Sequence, residues 1–330
     1  MDRTTSKLLL TATIVVVGIV LSRDKAALLQ TFVTSCAYGS LYALTALGYT
    51  LVYGVLRFIN FAHSDVFTIG AWASFSFATA LGWATTGSPW FAMPLVLLLS
   101  MAVCATLGVT IEALAYRPLR RAPRLNVLIT AIGVSLFLQN IGQLKWAFGT
   151  QPQSMPSLIE DRALFSIMTV QIRLVDVVVV LLTIALLFVL ETLIYRTKLG
   201  RAMRAVSFDE RVAALMGINV NRIISITFAI GSALAAAGGL LFALKYPGIK
   251  QTADASWVLL GLKAFVAAVV GGIGNVRGAV AGALLIAFVE QFGAAYLSPH
   301  MKDLYVFAIL IGVLLFKPSG LFGSAVVEKV

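Results

Sequence analysis

Residues 58 to 67 read FINFAHSDVF, inside a stretch that is otherwise almost unbrokenly apolar from Leu28 to Leu81. Within it Asn60, His63, Ser64 and Asp65 place an amide, an imidazole, a hydroxyl and a carboxylate close together. Such groups offer donors and acceptors to a polar solute or to a gate. A helix restarting at this point adds free backbone N–H groups, and ionisable residues in an apolar span mark a pathway by default. The simpler reading is that Ser64 or Asp65 caps a helix beginning near Val66. A cap alone does not require Asn60 and His63, so all four are taken as candidates for a substrate pathway.

A second polar set is Ser135, Gln139 and Gln143, at i, i+4 and i+8, with Asn140 beside it. That spacing stacks side chains on one helix face, where they either bond to neighbouring helices or line an aqueous path. Lys263 stands alone in an apolar run; it either pairs with an acid such as Glu290 or Glu112, or snorkels to an interface. Asp65, Lys263 and Glu290 are the charges that an ion-coupled transporter or channel would use. The familiar catalytic patterns are missing: there is no P-loop, no GxSxG and no HExxH, and GGIGNVR puts Arg277 where GxGxxG needs its third glycine. Cys36 and Cys104 lack metal-ligand spacing, and His63 and His300 are the only histidines, so no metal site is expected.

The stretch RTKLGRAMRAVSFDERVAALMGINVNRI, residues 196 to 223, is polar and basic. Ser207 and Glu210 have capping-box spacing, which predicts a short helix from Phe208, stopped by Gly217 in a left-handed conformation. Phe208, Val212, Leu215 and Met216 then form an apolar stripe, with Asp209, Glu210 and Arg211 facing away. A helix this short is marginal in water and needs something to rest on, either the membrane surface or a partner protein. The length of the connection favours a partner.

These groups have to be positioned by a framework with little water around it. Of 330 residues, 60% are hydrophobic and 12% charged, and the mean hydropathy is +0.95. That composition predicts an all-α polytopic membrane protein, because in lipid the backbone must satisfy its own hydrogen bonds. The net charge of +11 does not point to nucleic acid, since the basic residues lie in short clusters between apolar runs. Those runs fall at about 8–21, 28–56, 61–82, 91–116, 125–148, 174–195, 223–244, 257–274, 278–297 and 304–316. About eight to ten crossings result, given the roughly 20 residues a span needs. The first run, within an N-terminal extension of residues 1–26, is an extra helix or a signal-like segment. Residues 27–323 read as one membrane domain, followed by a short cytoplasmic tail at 324–330. Arg117, Arg120, Arg121 and Arg124 form one basic cluster; Arg196, Lys198, Arg201, Arg204, Arg211 and Arg222 form another. Both are expected on the cytoplasmic side, which puts the loop 150–173 outside and both termini inside. Two interruptions, RFINFAHSD and GGIGNVRG, suggest a pseudo-repeat of two halves with broken or re-entrant segments. Gly274, Gly278 and Gly282 recur every four residues and predict a helix face for close packing.

With these residues in view, the sequence resembles the membrane permease subunits of ATP-binding-cassette importers for branched-chain amino acids. The stretches that carry the resemblance are ALGYTLVYGVLRFINFAHSDVFTIGA (46–71), YRTKLGRAMRAVSFDERVAALMGINVNRI (195–223) and GLKAFVAAVVGGIGNVRGAVAGALL (261–285), and it runs from about Thr31 to Gly323. The family usually has Gly-Glu where Ser64 and Asp65 stand here, so the acid is kept but shortened by one methylene. The resemblance implies a non-enzymatic transport subunit in the inner membrane with no cofactor of its own. Its implied partners are a second homologous permease chain in a heterodimer, two cytoplasmic subunits carrying ATP and Mg, and an external substrate-binding protein. It also implies that Phe208, Asp209, Glu210, Val212, Leu215, Met216 and Gly217 form the coupling helix that seats in the ATPase. Branched-chain amino acids are the first expectation for substrate; urea and short amides use similar permeases.

Overall fold

A computed structural model of the chain describes residues 25–83, 88–120, 122–167 and 170–323. The apolar run at 8–21, nearly all of the N-terminal extension, Arg121 and the tail at 324–330 lie outside these residues.

Helices dominate. They are α1 (Lys25–Leu56), α2 (His63–Ala80), α3 (Ala92–Ile111), α4 (Arg124–Gly142), α5 (Leu174–Arg196), α6 (Lys198–Phe208), α7 (Glu210–Leu215), α8 (Val220–Lys245), α9 (Ala255–Gly271), α10 (Val276–Tyr296) and α11 (Lys302–Phe316). A π-turn (Glu112–Tyr116) and a short 3-10 turn (Arg117–Leu119) prolong α3. Seven helices among the described residues are long and apolar enough to cross a membrane. To these the fold adds α2, of 18 residues with a polar start, and the shorter α9, of 17. The chain is therefore an all-α polytopic membrane protein.

The buried centre is built from α1, α2, α8, α9 and α10, whereas α5 and α11 turn apolar side chains such as Phe188 and Leu315 outward. Small residues explain the closeness of the central helices: Gly70 abuts Ala236, and Gly239 lies against the backbone of Phe67. Without a water-driven force between helices in lipid, such contacts supply the packing.

The two ends of the bundle differ. At one end, β2 (Ala163–Ile167) and β3 (Val170–Arg173) form an antiparallel hairpin, and β1 (Gln153–Ser154) pairs with β4 (Gly248–Ile249). At the other end the two basic clusters meet: Arg120 donates to Asn221 at 2.6 Å, and Arg117 to Ser225 at 2.8 Å. Residues 321 and 322 return to this same end, where their N–H groups bond to Val270 and Gly271.

Both interruptions lie at the basic end, and they touch. Arg57 adopts φ 54, the single non-glycine residue with positive φ among the described residues; Gly272 and Gly274 have φ 105 and 94. A β-carbon on Gly54 would stand 3.7 Å from the Gly274 Cα. Gly274 is thus in the link before α10, not on its face, because its left-handed backbone is incompatible with a helix. Gly278 and Gly282 do pack as expected, against the backbones of Gly271 and Ala267.

The segment after α5 also differs from expectation. Phe208 ends α6, and Asp209, with extended backbone, is the cap of α7, its carboxylate accepting from Arg211 N–H at 2.8 Å and Val212 N–H at 3.0 Å. Ser207 is not the cap; its hydroxyl donates to the Gly54 carbonyl. A carboxylate two residues on outcompetes a hydroxyl that has found a tertiary acceptor. Gly217, with φ 81, stops the chain as expected.

Candidate functional site

Helix α2 begins at His63, whose N–H bonds to the Asn60 carbonyl at 3.2 Å, and Ala62 at its cap makes no side-chain bond. The capping explanation of Ser64 and Asp65 therefore does not hold: the Ser64 hydroxyl donates to the Phe61 carbonyl at 3.1 Å, and Asp65 faces another helix. All four polar residues of the break are buried.

Asp65 meets α4. The Gln139 side-chain amide donates to Asp65 Oδ1 at 2.9 Å and to Ser135 Oγ at 3.1 Å, while Asp65 Oδ2 is buried without a hydrogen-bond partner. Helix α4 is held in turn by Thr252, whose hydroxyl donates to the Gln139 carbonyl at 2.7 Å. Beside these groups lies a cavity of about 300 Å³ lined by Tyr49, Phe61, Ser64, Ser135, Gln139 and Phe265, with aliphatic walls from Ile132, Leu136, Val258 and Leu262. Apolar walls with a few placed polar groups are the usual make-up of a small-molecule site. Asp65 does not itself line the cavity; it is joined to the wall through Gln139, which does.

His63 takes another role. Its ring packs edge-on to Tyr49, with centroids 4.7 Å apart, in a slot that exists because residue 48 is glycine. Its Nε2 has no hydrogen-bond partner. Asn60 reaches α3 instead, accepting from the Tyr116 hydroxyl at 2.6 Å. Neither Asn140 nor Gln143 lines the cavity: Asn140 donates back to Leu136 on its own helix at 2.7 Å, and Gln143 lies just past the last turn of α4.

Lys263 is also removed from the cavity. Its ammonium lies 2.6 Å from Glu290 Oε1 and 2.5 Å from Asp303 Oδ1, and Tyr42 donates to Glu290 Oε2 at 2.7 Å. Four helices are pinned together there, α1, α9, α10 and α11. Of the two acids named from sequence, Glu290 is the partner; Glu112 instead binds Arg117, Arg120 and Ser225. Asp303 was not anticipated, and its signal was an acid opening the last apolar run. Tyr116 was missed as well, because a tyrosine in an apolar run carries no mark of what it will meet.

At the basic end, Phe208 and Leu215 are 89% and 87% exposed, and Val212 and Met216 are exposed beside them. Arg57 donates to the Ser207 carbonyl at 3.3 Å, and the Arg277 guanidinium, paired with Glu191, reaches the Tyr195 ring. The apolar stripe therefore projects from a base tied to both chain interruptions. Among the described residues no group of His, Cys, Asp and Glu could hold a metal ion.

A multi-pass helical bundle with breaks at one end and a small, mostly apolar pocket inside defines a membrane permease. The chain belongs to the family described as branched-chain amino acid transport system / permease component, which it matches over residues 31–314. It is 41% identical to the high-affinity branched-chain amino acid transport system permease protein BraD of Pseudomonas aeruginosa, over 92% of this chain and 98% of that one. It is 38% identical to the corresponding protein LivH of Escherichia coli, over 92% and 97%. Against a probable LivH of Methanocaldococcus jannaschii the identity is 27%, over 87% and 90%.

Proposed function

We propose that this chain is the permease subunit of an ATP-driven importer that carries branched-chain or similar neutral amino acids into the cytoplasm by alternating access. The basic end is cytoplasmic on this reading, as the charge rule requires, with both termini on that side of the inner membrane. The partners are a second, homologous permease chain, two ATP-hydrolysing subunits that hold ATP and Mg, and an external binding protein.

One observation carries the reading: the exposed stripe of Phe208, at the end of α6, with Val212, Leu215 and Met216 along the short, capped α7 and its last turn. Large apolar side chains so fully exposed on a basic surface are a docking patch, and a one-and-a-half-turn helix cannot stand alone. Inside the bundle, the amino acid occupies the cavity next to Asp65 on this reading: Asp65, adjacent to the lining Ser64 and bonded to the lining Gln139, supplies negative charge for the ammonium group, and the walls from Leu136, Val258, Leu262 and Phe265 take an aliphatic side chain. The names of the relatives favour leucine, isoleucine or valine over urea or amides.

Reconstitution in liposomes tests it. With companion ATP-hydrolysing subunits, permease partner and binding protein present, uptake of a branched-chain amino acid should require ATP. Uptake by the chain alone, driven by an ion gradient, is the outcome that sinks the proposal in favour of a secondary transporter.

A further inference from the structure

We propose that Asn60 and Tyr116 form the inner gate of the pathway, and that the α6–α7 element opens it through Ser207 and Gly54. The proposal rests on the transport reading above.

A second cavity, of about 640 Å³, lies at the basic end between the end of α1 and α6–α7. Phe58, Tyr116, Arg120, Ser207 and Phe208 are among its walls. It shares no lining residue with the cavity beside Asp65, yet Phe58 lines one and Phe61 the other. The partition between the two is thus the break itself. At its centre, Asn60 is 4% exposed and Tyr116 1%, joined by their 2.6 Å hydrogen bond. The rings of Phe58 and Phe228 flank Tyr116 with centroids at 5.1 and 5.6 Å. An imported solute passing from the outer cavity, lined by Phe61, to the inner one at the basic end would have to part this pair.

The two halves of the gate are mounted differently. Tyr116 closes a π-turn, a helical irregularity common at functional sites. That turn is anchored by Glu112, which Arg117, Arg120 and Ser225 tie to α8. Asn60 stands on an unwound segment that starts at Arg57, with its left-handed backbone, and ends at α2. The α6 terminus grips that segment from both sides of its start: Ser207 donates to the Gly54 carbonyl and accepts, at its own carbonyl, from Arg57. A displacement of α6–α7 is therefore handed to the residues that carry Asn60, while Tyr116 stays with α3 and α8. Two arrangements of one element, biased from a distant contact, are what coupling requires.

The test uses the full chain with its partner subunits in inside-out vesicles, in a Cys36→Ser, Cys104→Ser background carrying Leu262→Cys as a reporter in the outer cavity. A charged methanethiosulfonate reaches only the exposed inner face. Tyr116→Phe, which removes the hydroxyl but keeps the ring, should raise the nucleotide-free labelling rate about tenfold, the scale of one lost buried hydrogen bond. Asn60→Ser should do the same, and replaces Tyr116→Phe if that variant misfolds. Ser207→Ala should leave the resting rate unchanged and abolish its response to ATP. Unchanged labelling in Tyr116→Phe or Asn60→Ser would overturn the gate; an intact ATP response in Ser207→Ala would overturn the linkage. Should no ATP-hydrolysing subunit associate at all, the transport reading fails on its own, and labelling of the chain without partners still decides whether Asn60 and Tyr116 close the path.

Discussion

The side chain of Gln139, itself part of the wall of an apolar cavity, holds one oxygen of the Asp65 carboxylate at 2.9 Å and leaves the other buried without a hydrogen-bond partner. Seventy-four positions and two interhelical links separate these groups in sequence, and the pairing joins a lone intramembrane acid to the wall of the cavity.

Asp65→Asn keeps the shape and a hydrogen bond to Gln139 while removing the charge. Uptake of a zwitterionic amino acid by the reconstituted complex should fall about tenfold or more, the worth of one charge-assisted hydrogen bond, while size-exclusion chromatography shows normal assembly. Undiminished uptake would leave Asp65 with a purely structural part.

Leu215→Asp and Phe208→Asp alter side chains that touch almost nothing in the bundle. Thermal stability in detergent should shift by no more than about 0.5 kcal/mol, as for surface substitutions in general. Co-purification of the ATP-hydrolysing subunits should be lost. Retention of those subunits would move the docking site elsewhere.

Asp209→Ala removes the observed cap of α7 and should cost that helix about 1 kcal/mol. Hydrogen exchange at the Arg211 and Val212 amides should quicken accordingly, with no change at α8. Ser207→Ala should leave those two amides protected, since its hydroxyl serves Gly54. The reverse pattern would restore Ser207 as the cap.

Lys263→Met strands Glu290 and Asp303 near each other in the bundle. Breaking a buried ion pair from one side costs about 3–5 kcal/mol, so melting in detergent should move sharply downward. Adding Glu290→Gln should recover part of the loss. A stable Lys263→Met protein with altered ion dependence of transport would instead favour an ion-coupled mechanism.

Gly282→Ala forces a methyl against the Ala267 carbonyl and the Gly271 backbone, whereas a β-carbon at Gly312 meets nothing within 4 Å. The first should lose about 1–3 kcal/mol through overpacking. The second should be neutral or slightly stabilising, as expected for Gly to Ala in an open helix position. Equal melting temperatures would contradict the close crossing of α9 and α10.

Read one residue after another, the chain already specified a great deal. Apolar runs of spanning length, separated by arginine clusters, dictate a helical membrane bundle, because burial in lipid leaves the backbone no other partner than itself. The polar break at 58–67 and the exposed stripe at 208–216 were visible for the same reason: each violates the local pattern, and a violation must have a use. Tertiary structure alone decided what those residues meet. That Asn60 joins Tyr116, that Lys263 balances Asp303 as well as Glu290, and that Gly54 and Gly274 bring both interruptions together are facts about helices placed side by side. Spacing along one helix reports which face a residue occupies, but not which neighbour it faces; even the cap of α7 passed from Ser207 to Asp209 once Gly54 offered the hydroxyl a partner 153 positions away.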